Sequence, residues 1–111
     1  MIDLPDAGCF STPEQGQSVH WVEHLRVDAL SLGTYSIPTG ATDDQDPHTE
    51  DEIYVVVSGQ GSFEAGDRRV RVGPGSTLYV PAREVHRFVD VTNDLAVVVV
   101  FAPAEGSADG G

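Results

Sequence analysis

Four side chains of metal-ligand type lie at spacings that could bring them into one site. Asp46 and His48 are two residues apart, so they project from the same face of an extended segment. Glu52 follows four residues later with the same parity, and His86 comes after Pro81, much farther along the chain. Imidazole nitrogens and carboxylate oxygens are the usual ligands of divalent first-row metals. These residues predict a mixed nitrogen and oxygen site, although either histidine could instead be structural.

Two aromatic residues share the parity of these candidates. If Glu52 points inward, Tyr54 lines the same cavity, where its hydroxyl could bind substrate or donate a proton. Alternatively, Tyr54 is an aromatic residue that fills the protein interior, and its hydroxyl forms a hydrogen bond with a nearby group. Phe88 has the parity of His86 and is expected to form an apolar wall. The candidate catalytic residues are therefore Glu52, Tyr54 and His86.

Acidic residues crowd the segment around the first three candidates: Asp43, Asp44, Asp46, Glu50, Asp51 and Glu52. Carboxylates that converge in a poorly solvated cavity repel one another and take up protons, and a divalent metal ion removes this penalty. A solvated loop is the preferred interpretation for four of them, namely Asp43, Asp44, Glu50 and Asp51. Glu52 opens an apolar strand, so we expect it to point inward.

The elements that must position these residues are strands. Short runs rich in Val, Tyr, Thr and Phe alternate with Gly and Pro, and no convincing helical period is present. Strands are predicted at residues 19–25, 27–37, 52–57, 62–65, 68–72, 77–80, 86–91 and 95–101, with a turn at 58–61. Turns at such short intervals are typical of an all-β barrel or sandwich.

The spacing of the candidates resembles a known family. Residues 40–59 place Gly40, Asp46, His48, Glu52 and Gly59 in the pattern Gly-x5-Asp-x-His-x3-Glu-x6-Gly. Residues 75–90 place Gly75, Pro81, Arg83, His86 and Asp90 in the pattern Gly-x5-Pro-x-Arg-x2-His-x3-Asp. Both are similar to the two signature motifs of the cupin superfamily, and the short segment between them resembles compact single-domain bacterial cupins. The resemblance implies one jelly-roll barrel, a double-stranded β-helix, over residues 17–102. Residues 1–16 are expected to be an irregular lead-in and residues 103–111 a disordered tail.

The resemblance also implies a metal site. The family's metal ligands correspond to Asp46, His48, Glu52 and His86. Asp46 stands where the family has its first His, so three outcomes are open: Asp46 binds the metal, or it swings away and leaves a three-residue triad, or metal affinity is lost. The carboxylate-rich donor set favours Fe or Mn, with Zn, Ni and Co as further candidates. Arg83 replaces a family Gly and Asp90 a family Asn, which puts the shape of the loop in doubt.

Three functions are consistent with such a site. The first is a metal-dependent, dioxygenase-like enzyme acting on a small organic molecule. The second is a non-redox isomerase, cyclase, dehydratase or decarboxylase, with or without metal, in which His48, Glu52 or His86 is the acid or base. The third is a small-molecule-binding module without catalysis. The glycines fall in hairpin turns and not in a phosphate-binding loop, so no nucleotide cofactor is predicted.

Charge and composition exclude other partners. The formal net charge is −12 and the six basic residues are all arginine, which disfavours nucleic acid and anionic membranes. No apolar run is long enough to span a membrane, and the N-terminus lacks a secretory pattern, so we expect a cytoplasmic protein. Cys9 is the only cysteine and is interpreted as a neutral residue. Val19 and Trp21 are expected to cover a homodimer interface.

Overall fold

Six strands and no helix make up the regular structure of residues 1–43 and 46–108, which are the residues that the computed structural model describes. The strands are β1 (His20–Arg26), β2 (Ser31–Ile37), β3 (Asp51–Ala65), β4 (Arg68–Val72), β5 (Thr77–Val80) and β6 (His86–Ala102). In this part of the chain no helix is long and apolar enough to cross a membrane.

All strand pairs are antiparallel, and the two longest strands organise them. β6 lies between β2 and β3 in the order β1-β2-β6-β3-β4, and β5 pairs with the first half of β3. The second half of β3 pairs with β4 instead. Strands β3 and β6 therefore pair with each other and with three of the remaining strands. The all-β barrel architecture predicted from the sequence is confirmed.

The turn predicted at residues 58–61 is wrong, because β3 continues through it as a bend. The β3–β6 register shifts between Val56 and Ser58 and again on either side of Gln60. Gly59 has a φ of 90°, and a Cβ there would overlap the carbonyl of Asp94 on β6. A glycine relieves both constraints, so the strand can bend sharply without losing its partner. The predicted break between residues 91 and 95 is also wrong, because β6 continues from His86 to Ala102.

The strand predicted at residues 27–37 begins later than expected. Residues 27–30 form a turn closed by a 3.0 Å hydrogen bond from the Val27 amide to the Leu30 carbonyl, and β2 starts at Ser31. The apolar residues in the turn mimic a strand pattern, but a reversal is needed there because β1 pairs back onto β2. The prediction was therefore too long at this end.

Alternating side chains of β3 and β6 build the core. Tyr54, Val56 and Phe63 of β3 are buried, as are Phe88 and Val97 of β6. Outward residues of the same strands, such as Ile53 and Val57, remain substantially exposed. This period of two places Glu52 and His86 on the same inner face as the aromatic core.

Both ends of the chain pack onto β2. The Gly8 amide donates to Thr34 Oγ1 at 2.8 Å, and the Ser11 amide donates to Ser36 Oγ at 3.1 Å. Residues 103–108, from the segment expected to be disordered, instead contact the barrel: Ala104 is buried and the Glu105 amide donates to Ser31 Oγ at 2.8 Å. Amino-acid composition does not predict such contacts, because small residues and backbone amides form them. Residues 109–111 lie outside the described part of the chain.

Candidate functional site

Three buried side chains meet on the inner face of β3 and β6. Glu52 and Tyr54 are successive inward residues of β3, and His86 is the first residue of β6. The Tyr54 hydroxyl lies 2.8 Å from His86 Nε2, and Glu52 Oε2 lies 3.5 Å from the same nitrogen. The residues predicted to be catalytic are thus neighbours, with the imidazole between a phenol and a carboxylate.

The hydrogen bonds of His86 define which ring nitrogen carries a proton. Nδ1 lies 2.7 Å from the carbonyl oxygen of Glu84, which can only accept, so Nδ1 is the donor. In the neutral ring Nε2 is then an acceptor, and the hydroxyl of Tyr54 donates to it. Burial by itself lowers the pKa of His86, but Glu52, the Glu84 carbonyl and Asp43 outweigh it, so the pKa lies above the ordinary value of 6.5.

Glu52 is a carboxylate enclosed by the barrel. Its side chain is 1% exposed, and Oε2 has no hydrogen-bond partner among the described residues. Its contact with His86 Nε2 at 3.5 Å is too long for a good hydrogen bond. A buried carboxylate oxygen without a partner costs free energy, so it marks a place where a proton or a ligand would be stabilised.

His48 approaches the same carboxylate from the loop before β3. Its Nε2 lies 3.9 Å from Glu52 Oε1, and its Nδ1 lies 3.5 Å from Glu105 Oε2. The ring packs edge-on against Phe101, with the centroids 4.7 Å apart. The Arg83 amide donates to the His48 carbonyl at 2.7 Å, which ties the loop before β3 to the loop before β6. His48 is only partly buried, so it can contact a ligand directly.

The four predicted metal ligands do not converge as a set. Asp46 is exposed, whereas Glu52 and His86 are buried. Among residues 1–43 and 46–108, no group of three or more His, Cys, Asp and Glu side chains is arranged to hold a metal ion. The donor types suit a divalent cation, but the hydroxyl of Tyr54 occupies Nε2 of His86. His48 and His86 each approach the Glu52 carboxylate, at 3.9 and 3.5 Å, so a metal ion held by these three residues would have to displace the Tyr54 hydroxyl from Nε2.

The interpretation of the acidic segment as a solvated loop is wrong for two of its members. Asp43 is buried and accepts hydrogen bonds from the Tyr35 hydroxyl at 2.5 Å and the Phe88 amide at 2.7 Å. Glu50 is also buried and accepts from the Ala108 amide at 3.1 Å. Asp51 is exposed, as expected, and Asp44 lies outside the described residues. Both buried carboxylates satisfy backbone amides that would otherwise be unpaired.

A cavity of about 350 Å³ opens above His48 and Tyr54. Its other aromatic residues are Trp21, Tyr35 and Phe101, and its carboxylate is Glu105. Trp21 and Val19, expected at a homodimer interface, line this cavity. Trp21 and Glu105 were not predicted to line a site, because neither belongs to a spaced motif. Glu105 also lies in a stretch without strand character, so no local signal could have identified it.

The two departures at Arg83 and Asp90 coincide with unusual backbone conformations. Arg83 has a φ of 69° and Asp90 a φ of 49°, in the left-handed region that favours Gly and Asn. The backbone therefore keeps the conformation that Gly and Asn adopt readily, although other side chains occupy it. Arg83 lies in the loop before β6 and Asp90 within β6, on either side of His86.

Comparisons with known proteins agree with this architecture. The chain is 42% identical over 85 residues to an uncharacterized protein, SCO3923, of Streptomyces coelicolor, covering 77% of this chain and 81% of that one. The structure of KdgF from Halomonas sp. matches with a TM-score of 0.73 at 22% identity, covering 82% of this chain and 85% of that one.

A longer protein shares the same fold. The DMSP lyase DddQ of Ruegeria pomeroyi matches with a TM-score of 0.72 at 16% identity, covering 92% of this chain and 54% of that one. The family model for the cupin domain matches residues 33–102, which include both spaced motifs. This chain therefore belongs to the cupin family, with the double-stranded β-helix fold of that family.

Proposed function

We propose that this protein is an enzyme that moves a proton on a small organic molecule, in an isomerisation or an elimination. The observation that carries the proposal is the hydrogen bond between the Tyr54 hydroxyl and His86 Nε2, with Glu52 next to the same nitrogen. The phenol, the imidazole and the carboxylate form an acid–base cluster, and Tyr54 is its member that lines the apolar cavity.

The chain of contacts gives each residue a role. His86 Nε2 takes the proton of the Tyr54 hydroxyl, and the phenolate oxygen removes a proton from a carbon of the substrate. Glu52 stabilises the imidazolium, because its Oε2 is close to Nε2 and has no hydrogen-bond partner in the described part of the chain. The Glu84 carbonyl fixes the ring orientation through Nδ1. This follows the general logic of a base oriented by a third group.

The second half of the reaction restores the balance of protons and electrons. In an isomerisation, the carbanion takes a proton back at another carbon, and His48 on the cavity wall is placed to deliver it. In an elimination, a leaving group departs with its electron pair, and the carbon–carbon double bond forms between the two carbons. In either reaction the proton held on His86 Nε2 then passes to solvent, and in the isomerisation His48 takes up a proton from solvent, so the enzyme returns to its starting state. A DMSP lyase with this fold shows that the scaffold accommodates a lyase.

Exchange of substrate protons for deuterium tests the proposal across a panel of candidate compounds. Small carbonyl compounds and organic acids are incubated with the protein in D₂O, and proton NMR detects loss of C–H signals or formation of olefins. Tyr54→Phe retains the ring and removes the hydroxyl, so the exchange rate should fall about 10²–10⁴-fold. Tyr79→Phe, at a tyrosine that is 60% exposed, is the matched control and should react like the wild type.

Equal rates for Tyr54→Phe and the wild type would contradict the role of the hydroxyl. Ligand binding without exchange, with every compound tried, would support the non-catalytic binding module instead. Circular dichroism of each variant establishes that the barrel is intact.

The metal-dependent, dioxygenase-like function is the second candidate, and the orphaned Oε2 of Glu52 favours it. His48, Glu52 and His86 would hold an Fe or Mn ion if the Tyr54 hydroxyl moved away from Nε2. Elemental analysis of protein purified without added metal, then anaerobic reconstitution and measurement of oxygen uptake, tests this candidate. Proton exchange that survives chelation and exclusion of oxygen supports the acid–base function, whereas oxygen consumption only after reconstitution supports the dioxygenase.

A further inference from the structure

The C-terminal segment 104–108 completes the cavity above the candidate catalytic residues. Three contacts hold it in place: the Glu105 amide donates to Ser31 Oγ, the Ala108 amide donates to Glu50 Oε2, and Ala104 is buried. Because the backbone on both sides is fixed, the Glu105 side chain is directed to the cavity, where it contacts His48. The wall of the cavity thus includes a carboxylate that neither cupin motif contains.

Three aromatic rings form a corner beside this carboxylate. The Trp21 and Tyr35 rings have centroids 6.4 Å apart at 72°, and the Trp21 and Phe101 rings have centroids 5.9 Å apart at 82°. Rings set at steep angles can contact one ligand from different sides, which is the arrangement in which a cation interacts with several ring faces. The Tyr35 hydroxyl donates to Asp43, and this hydrogen bond to an anion increases the electron density of the ring.

The charges around the cavity select against an anionic ligand. No arginine lines the cavity in the part of the chain that the structure describes, and the chain has no lysine. The guanidinium of Arg26 on β1 is paired with Glu23 at 2.8 Å. The net charge of −12 also attracts cations and repels anions at long range.

Glu105 distinguishes a cationic from a neutral ligand. The Glu105 carboxylate lies in the cavity wall, with Oε2 3.5 Å from His48 Nδ1. A neutral apolar ligand would remove more water from the carboxylate without supplying a partner, which costs free energy. An ammonium group would supply a permanent positive charge beside this carboxylate, in addition to the contact with His48, and the three rings would contact its alkyl substituents.

We propose that the cavity binds a small alkylammonium cation, with its charged group against the Trp21 and Phe101 rings on the side of Glu105. The rest of the ligand extends towards His48 and Tyr54, where the reacting carbon would lie. The inference rests on the proposed function only in taking this cavity as the substrate site. Its test reads binding alone, so a failure of catalysis leaves it intact, and a failure of binding leaves the acid–base cluster intact.

Three probes of similar shape separate charge from size. Choline carries the cation, 3,3-dimethylbutan-1-ol is its neutral isostere, and 3,3-dimethylbutyrate carries an anion. Binding to chelator-treated protein is measured by calorimetry and ligand-observed NMR at constant ionic strength. Choline should bind at least about tenfold more tightly than the neutral isostere, and the anion more weakly than either.

Two variants test which residues cause the preference for the cation, and a third serves as a control. Glu105→Gln removes one charge at almost constant shape and should weaken choline about fivefold while leaving the neutral isostere unchanged. Trp21→Leu keeps an apolar wall without the ring and should also reduce the preference for the cation. Glu14→Gln removes the same charge from an exposed position and should leave all affinities unchanged.

Several results would overturn the inference. They are equal affinity for choline and its isostere, tightest binding of the anion, and no detectable binding of choline. A preference that falls equally in Glu105→Gln and Glu14→Gln would also overturn it, because only the net charge would then matter. Circular dichroism separates loss of binding from loss of folding, and Trp21→Leu remains informative if Glu105→Gln fails to fold.

Discussion

The first half of β3 and the loop that precedes it differ in how their side chains are distributed. Along β3, Glu52, Tyr54 and Val56 are buried, and the residues between them face outward or are less buried. In the loop, Asp43 is buried and Asp46 is exposed, although both residues are aspartates of the same segment. The strand follows a period of two because ladder hydrogen bonds fix its backbone, whereas the loop lacks that constraint.

This difference shows in which parts of a binding site the spacing of residues along the chain predicts the directions of their side chains. The inward positions of Glu52 and Tyr54 follow from parity within a paired strand. Asp46 and His48 share a parity as well, but they lie outside β3, and one is exposed while the other contacts the cavity. A spaced motif therefore indicates which residues belong to a candidate site. It predicts the directions of their side chains only where the segment is paired with another strand.

Substitutions of two aspartates in the same loop are expected to differ most in their effect on the free energy of unfolding. Asp43→Ala leaves the Tyr35 hydroxyl and the Phe88 amide without their acceptor in the interior, so unfolding free energy should fall by about 3 kcal/mol. Asp46→Ala, at an exposed position, should change it by less than about 0.5 kcal/mol. Urea denaturation followed by circular dichroism measures both, and equal effects would contradict the assigned burial.

A smaller effect is expected at Glu50, the other buried carboxylate of the loop. Burial raises its pKa, but hydrogen bonds from Thr49 and from the backbone of residues 106 and 108 lower it below the ordinary 4.5 overall. Glu50→Gln should cost about 1 kcal/mol at neutral pH. A lowered pKa means that this stability is present above pH 4.5 and is lost as the pH falls through the folded-state pKa.

The pH dependence is read from denaturation of wild type and Glu50→Gln in parallel. The difference between them should be constant at neutral pH and shrink below about pH 4.5. Glu14→Gln is the control for the general effect of one charge. A difference that grew on acidification would show that the folded state raises the pKa of Glu50 instead.

The backbone of the loop before β6 is expected to affect stability less than the buried carboxylates do. Arg83 has a φ of 69°, so Arg83→Gly relieves backbone strain and should raise unfolding free energy by about 0.5–1 kcal/mol. Arg87→Gly, within β6, should lower it by a similar amount because glycine weakens a strand interior. Thermal denaturation measures both, and destabilisation by Arg83→Gly would show that its side chain matters more than its backbone.

Much of the fold could be predicted because β-branched runs and turn residues are local signals. The strands Arg68–Val72 and Thr77–Val80 have the predicted bounds, and β1 and β2 differ from the prediction only at their ends. The bend in β3 could not be predicted, because Gly59 marks a turn and a bend equally well. Only pairing with the opposite strand, which continues on both sides of the glycine, distinguishes them.

The sequence by itself determined the all-β class, the family and the residue types of the candidate site, because these depend on composition and spacing along the chain. The tertiary structure alone decided that Tyr54 donates to His86, that Asp46 is exposed, and that Glu105 reaches the cavity. Tyr54 and His86 are 32 residues apart, and Glu105 and His48 are farther apart still. Such contacts depend on how β3, β6 and the C-terminal segment pack in space, and no local pattern encodes that packing.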